Sequence, residues 1–98
     1  MKRLYYDDLL MDLGSYRVQR GSRDIHLRPT EFRLLRHLLE QRGTVSTREQ
    51  LLDMIWGRDI HVELRTVDTH ICRLRKALNG DNEIDLIRTV SSAGYAVR

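Results

Sequence analysis

The chain has 98 residues, of which 41% are hydrophobic, and carries 17 Lys and Arg against 14 Asp and Glu for a formal net charge of +3. That length suits a single domain over residues 1–98, and the apolar content excludes a chain too polar to fold. The mildly basic balance fits a nucleic-acid partner, although basic enzymes share it, so charge alone excludes little.

The first quarter reads as strands. Leu9 and Met11 alternate with Leu10 and Asp12 before Gly14-Ser15 interrupts the run. Tyr16 and Val18 alternate with Arg17, Arg20-Gly21-Ser22-Arg23 has the composition of a hairpin turn, and Ile25 and Leu27 alternate with Asp24 and His26. Period-two alternation with Gly and Ser between the runs predicts a small antiparallel sheet with one solvated face.

The period changes at Pro29, a favourable first helical residue, with Glu31 in the first turn where negative charge suits the dipole. Phe32, Leu35, Leu38 and Leu39 follow at helical spacing, and Gly43 stops the helix. After an extended link at Val45, Ser46-Thr47-Arg48-Glu49 has the form of a capping box, and Leu51, Leu52 and Ile55 give a second helix its apolar face. That helix ends near Trp56-Gly57, with Trp56 packing in the core or under the loop that follows.

The third helix is the clearest element. Leu64, Val67, Ile71, Leu74 and Leu78 are spaced three, four, three and four apart, which at about 100° per residue makes one narrow stripe over 64–78. Asn79-Gly80 ends it and Asp81-Asn82-Glu83 is a polar loop. Asp85 to Val90 reads as a strand, Ser91-Ser92-Ala93-Gly94 as a turn, and Tyr95-Ala96-Val97 as the returning strand. The fold class is α+β: sheet, three helices, hairpin.

With the stripe turned inward, the outer side of the third helix presents Arg65, Thr69, Cys72, Arg73 and Lys76, with Thr66 close by. Asp68 and Arg75 lie on one flank and His70 on the other. Arg and Thr on such a helix reach base edges, while Lys and Arg neutralise phosphate. Segment 64–78 holds four Lys and Arg and one acidic residue, so basic charge concentrates where the shape fits a groove. Periodicity alone leaves open an ordinary amphipathic helix with a solvated basic face. Asp68 either fixes neighbouring Arg side chains or bridges to another element.

Several blocks resemble the OmpR/PhoB class of response-regulator output domains. They are Pro29-Thr30-Glu31-Phe32-Arg33-Leu34-Leu35, Ser46-Thr47-Arg48-Glu49-Gln50-Leu51-Leu52, Trp56-Gly57, and Arg65-Thr66-Val67-Asp68-Thr69-His70-Ile71 running on through Arg73 to Leu78. The last is Ile87-Arg88-Thr89-Val90 with Gly94-Tyr95. They come in family order and cover nearly the whole chain. The Leu78-Asn79 ending and the 87–90 strand look most like the phosphate-regulon branch.

The resemblance implies a winged helix-turn-helix, with a four-stranded N-terminal antiparallel sheet, a three-helix core and a C-terminal β-hairpin wing. It implies sequence-specific double-stranded DNA binding, with recognition helix 64–78 in the major groove and wing 87–97 at the minor groove. Arg65, Thr66, Arg73 and Arg75 match positions that hold phosphates; Thr69, His70 and Cys72 match positions facing the bases or their rim. Lys76, Arg88 and Tyr95 complete the DNA-binding set. The loop Gly57, Arg58, Asp59, Ile60, His61 and Val62 corresponds to a segment that touches RNA polymerase. The resemblance further implies a phosphorylated receiver domain and a sensor histidine kinase acting through the full-length protein. It also implies tandem direct-repeat sites bound head to tail; the apolar stripes, needed for one core, predict a monomer when free. Two departures stand out: Cys72 replaces a basic residue, and Ser91-Ser92 follow Val90 where many relatives carry Arg-Gly.

Other chemistries find little support. The single cysteine excludes an internal disulfide and fits a reducing, cytoplasmic setting as a passive surface thiol. No apolar run approaches the roughly 20 residues of a membrane span, and Met1 to Asp8 lack the apolar core of a signal peptide. His26, His37, His61 and His70 lack metal-ligand spacing, Asp81, Glu83 and Asp85 fit a solvated loop, and no Gly-rich phosphate cradle or nucleophile motif occurs. No cofactor or enzyme activity is expected. A winged-helix module that binds protein rather than DNA is the first competing reading; the second, an enzyme such as a nuclease, lacks the clustered carboxylates that would hold metal ions.

Overall fold

The computed structural model describes residues 2–59 and 61–98. Strands β1 (Arg3–Tyr6), β2 (Leu9–Asp12), β3 (Arg17–Arg20) and β4 (Arg23–Ile25) form an antiparallel sheet in that order. Helices α1 (Pro29–Glu40), α2 (Arg48–Trp56) and α3 (Leu64–Leu78) follow, and β5 (Ile87–Val90) pairs with β6 (Gly94–Val97) in a hairpin. No helix among the described residues is long and apolar enough to cross a membrane.

The sheet's inner face follows from its register. Met11 pairs with Val18 and Val18 with Ile25, and all three are buried with Leu9. Period two then carries the same face from Val18 to Arg20, which pairs with Leu9 and is itself buried. Arg20 and Arg23 are therefore strand ends, and only Gly21-Ser22 turns between them, with Gly21 at φ 60°. The edge strand β1 escapes the sequence reading because its residues are only exposed or half-buried.

The core unites the sheet with the helices: Phe32, Leu34, Leu35, Leu38 and Leu39 of α1, Leu51 and Ile55 of α2, the α3 stripe Val67, Ile71, Leu74 and Leu78, and Leu86, Ile87 and Val97. Each such aliphatic side chain contributes about 1.5–3 kcal/mol on burial, so the α3 stripe is held firmly. The capping box sits one residue later than expected. Thr47 is the N-cap of α2, accepting from Gln50 N at 3.0 Å, while the Gln50 side chain accepts from Thr47 N at 2.8 Å. Ser46 is unavailable because its backbone pairs both ways with Tyr95 of the hairpin, at 2.9 Å each. Gly94 lets that approach happen: a Cβ there would lie 2.0 Å from Ser46 O.

Candidate nucleic-acid interface

Helix α3 spans 15 residues, about 22 Å at 1.5 Å per residue. Val67, Ile71, Leu74 and Leu78 of its stripe are almost fully buried, Leu64 at its first turn is exposed rather than turned inward, and Arg65, Thr69, Cys72, Arg73 and Lys76 are exposed with Thr66 half-buried. Amphipathicity thus aims one continuous donor-rich ridge outward. The Thr69 hydroxyl donates back to Arg65 O at 3.1 Å and keeps acceptor capacity outward. Among the described residues, Arg65, Arg73 and Lys76 form no ion pair.

The flanks of α3 behave differently. Asp68 accepts from Arg48 Nε of α2 at 2.9 Å and from the Tyr95 hydroxyl at 2.5 Å. Burial pushes the Tyr95 hydroxyl above the usual phenol range, and the Asp68 carboxylate adds to that. The bond to the same carboxylate holds Arg48 above the usual guanidinium range. Arg75 donates to Ile87 O at 3.0 Å and to Thr89 Oγ1 at 2.6 Å, with its guanidinium 5.7 Å from the Tyr95 ring centre. Asp68, Arg75 and Tyr95 therefore pin the hairpin and α2 against α3.

These contacts bear on four residues of the expected DNA-binding set. Tyr95 is only 5% exposed, with its hydroxyl on Asp68 rather than open to a ligand. Arg75 directs its donors to the hairpin because its flank faces β5. His70 turns to α1, where its Nδ1 meets the buried Glu31 carboxyl group and its ring lies 5.2 Å from that of Trp56. Arg88 is exposed but shares a groove with Tyr6, Asp7 and Arg42, on the hairpin face opposite Thr89, as strand alternation requires. Of the expected set, the structure gathers Arg65, Thr66, Thr69, Cys72, Arg73 and Lys76 on one surface.

The hairpin tip, Ser91 to Ala93, is exposed, and it borders a cleft with Arg48 and Leu64 at the start of α3. In the loop after α2, Gly57 has φ 92° and ends the helix, Arg58, Asp59 and His61 are exposed, and Val62 is half-buried. Ile60 lies outside the described residues. Arg58 Nε lies 3.7 Å from Asp53. Among the described residues, no three His, Cys, Asp or Glu side chains gather as a metal site.

Sequence reasoning missed one network. Arg20, taken for a turn residue, donates to Leu78 O at 3.2 Å, Asn79 Oδ1 at 2.7 Å, Ile84 O at 2.8 Å and Asp8 at 3.1 Å. Arg23 adds Leu78 O at 2.8 Å and Glu83 at 2.5 Å. Two cations thus cap the carbonyl end of α3 and fix the 79–86 loop, where they also suit the helix dipole. Glu83 is held below the usual carboxylate range, chiefly by the Gly80 N–H and with help from Arg23 and Arg20. The period-two continuation from Val18 was the available signal for Arg20.

The family described as "Transcriptional regulatory protein, C terminal" matches residues 22–97. The phosphate regulon transcriptional regulatory protein PhoB of Rhizobium meliloti is 54% identical over 90 residues, which are 92% of this chain and 40% of that protein. The chain thus spans about two-fifths of the length of such relatives. Among solved structures, the DNA-binding domain of Klebsiella pneumoniae RstA in complex with RstA box superposes with a TM-score of 0.85 at 30% identity, covering 99% of this chain and 97% of that one. The Thermotoga maritima response regulator DrrB, an OmpR/PhoB homologue, gives 0.86 at 38% identity over 97% of this chain and 43% of its own. The outward basic ridge, the winged architecture and these likenesses agree: the chain belongs to the transcriptional regulatory protein C-terminal family, as a response-regulator DNA-binding domain of the OmpR/PhoB class.

Proposed function

We propose that α3 enters the major groove of duplex DNA and that the 87–97 hairpin runs along the flanking minor groove. The observation that carries this reading is that Arg65, Arg73 and Lys76 stand exposed and unpaired among the described residues, on the open side of a helix buried on its other side. Such cations neutralise phosphates, while Thr69 and Cys72 between them meet base edges. His70, Arg75 and Tyr95 act from behind, holding α3 and the wing at a fixed spacing.

The longer protein, by analogy with relatives more than twice this chain's length, carries a receiver domain phosphorylated by a sensor histidine kinase and works in the cytoplasm. It regulates transcription as the PhoB relatives' name describes, with the phosphate-regulon branch favoured by identity. Two copies, monomeric when free, pair head to tail on tandem direct repeats, and the exposed Arg58, Asp59 and His61 loop offers a surface to RNA polymerase.

Selection from a random duplex library, followed by titration of the enriched site at several salt concentrations, tests the core of this reading. The expected result is a motif repeated about 10–11 bp apart, one duplex turn, with affinity falling linearly in log salt. No enriched motif and a flat salt response would overturn it in favour of a protein-binding winged helix.

A further inference from the structure

A cleft of about 370 Å³ lies on the flank of α3 away from the wing, lined by His26, Leu27, Arg28, Glu31, Arg73 and Ala77. His26, Arg28 and Arg73 are exposed. Glu31 is buried with its carboxyl group on His70. Among the described residues, no carboxylate pairs with Arg28 or Arg73. Two unpaired guanidiniums and an imidazole therefore share one cleft.

Arg28 is also the wrong residue for its local role. It is the N-cap of α1, and no side chain caps that helix. N-caps favour Ser, Thr, Asp or Asn, whose oxygens accept from the first-turn N–H groups. A cation there adds positive charge to the positive end of the helix dipole. The Arg28 side chain supplies no cap to α1 and sits open at a cleft that Arg73 also lines from α3. Both features are relieved by one thing, an anion in the cleft.

We propose that His26 and Arg28, with Arg73, form a second anchor for a DNA backbone phosphate, on the side of α3 opposite the wing. The phosphodiester accepts from Arg28 and Arg73, and His26 donates a further bond. The wing tip lies near Leu64 and this cleft near Ala77, so α3 is bracketed at both ends, about 20 Å apart along its axis. Contacts to phosphate set register without reading bases, so the anchor strengthens binding to every sequence alike. This inference rests on the major-groove placement of α3.

The test compares the whole chain with Arg28→Ser and Arg28→Lys on the duplex that the unmodified chain selects and on a mixed-sequence duplex. For Arg28→Ser the expected result is an unchanged or raised melting temperature, because Ser supplies the missing cap. With it come an affinity loss of about five-fold near 0.15 M salt on both duplexes and a salt slope smaller by about one. Arg28→Lys restores the slope. Affinity and slope equal to the unmodified chain for Arg28→Ser overturn the anchor, as does an affinity loss accompanied by a lower melting temperature. If the unmodified chain itself shows no salt-dependent DNA binding, the groove placement fails first, and the two failures are told apart.

Discussion

The basic side chains at the C-terminal end of α3 and those along its outer ridge make an instructive pair. Where the sheet meets the end of the helix, Arg20 and Arg23 are saturated: the Arg20 side chain is 2% exposed and reaches Asp8, Asn79 and the carbonyls of Leu78 and Ile84. Along the outer ridge, Arg65, Arg73 and Lys76 are exposed and pair with nothing among the described residues. Basic side chains build the fold in one region and, among the described residues, stand free of ion pairs in the other, where the proposed function puts DNA phosphates. The net charge of +3 hides this division; whether a cation has a partner reveals it.

The contrast breaks most visibly at the clamp. Arg20→Met takes the Arg20 donor from Asp8, Asn79 Oδ1 and the carbonyls of Leu78 and Ile84, of which Leu78 O keeps Arg23, and removing one member of a buried ionic network costs about 3–5 kcal/mol. For a domain this size that corresponds to a melting temperature lower by at least about 12 °C. The fraction still folded should bind DNA with an unaltered salt slope. Calorimetry with binding titration checks both halves.

Gly94→Ala is next. Its Cβ would sit 2.0 Å from Ser46 O, at a φ of 153°, so the hairpin must withdraw from the α1–α2 connection. Overpacking of this kind costs about 1–3 kcal/mol. Faster amide exchange at Ser46 and Tyr95 than in α3 would locate the damage in the wing.

Arg73→Ala addresses the other region. Being exposed and unpaired, it should leave stability within about 0.5 kcal/mol while reducing affinity for all sequences and lowering the salt slope by about one unit. A fallen melting temperature with unchanged affinity would place Arg73 with Arg20. The smallest effect is a gain: Ser91→Arg puts a cation at the exposed hairpin tip, where a narrow A·T-rich minor groove attracts it. Binding should tighten and become steeper in salt, with a preference for A·T flanks; equal behaviour on A·T and G·C flanks would show that the tip is not at the minor groove.

How much of this could be read from the chain follows from the same distinction. The stripe from Leu64 to Leu78 predicts the limits of α3, and its buried members Val67, Ile71, Leu74 and Leu78 predict its open face, because apolar burial imposes its period directly on the residues. The flanks carry no such information. Asp68, His70 and Arg75 sit at the edges of the wheel, and what they touch depends on which elements pack beside α3, a tertiary fact. Hence the sequence pattern reads Arg75, His70 and Tyr95 as ligand contacts and gives no sign that they also fasten the wing and α1 to the helix. Arg20 was hidden differently, since a charged residue beside Gly and Ser looks like a turn, whereas strand alternation from Val18 carries it inward.

The division between paired and unpaired cations is tested most directly by replacing Arg65, Arg73 and Lys76 together with Ala and measuring DNA affinity across a salt series beside a thermal melt. The account predicts a salt slope smaller by about three units, one per lost phosphate contact, with the melting temperature of the unmodified chain nearly kept. A salt slope that stays the same, or a melt that collapses as it does for Arg20→Met, would contradict it.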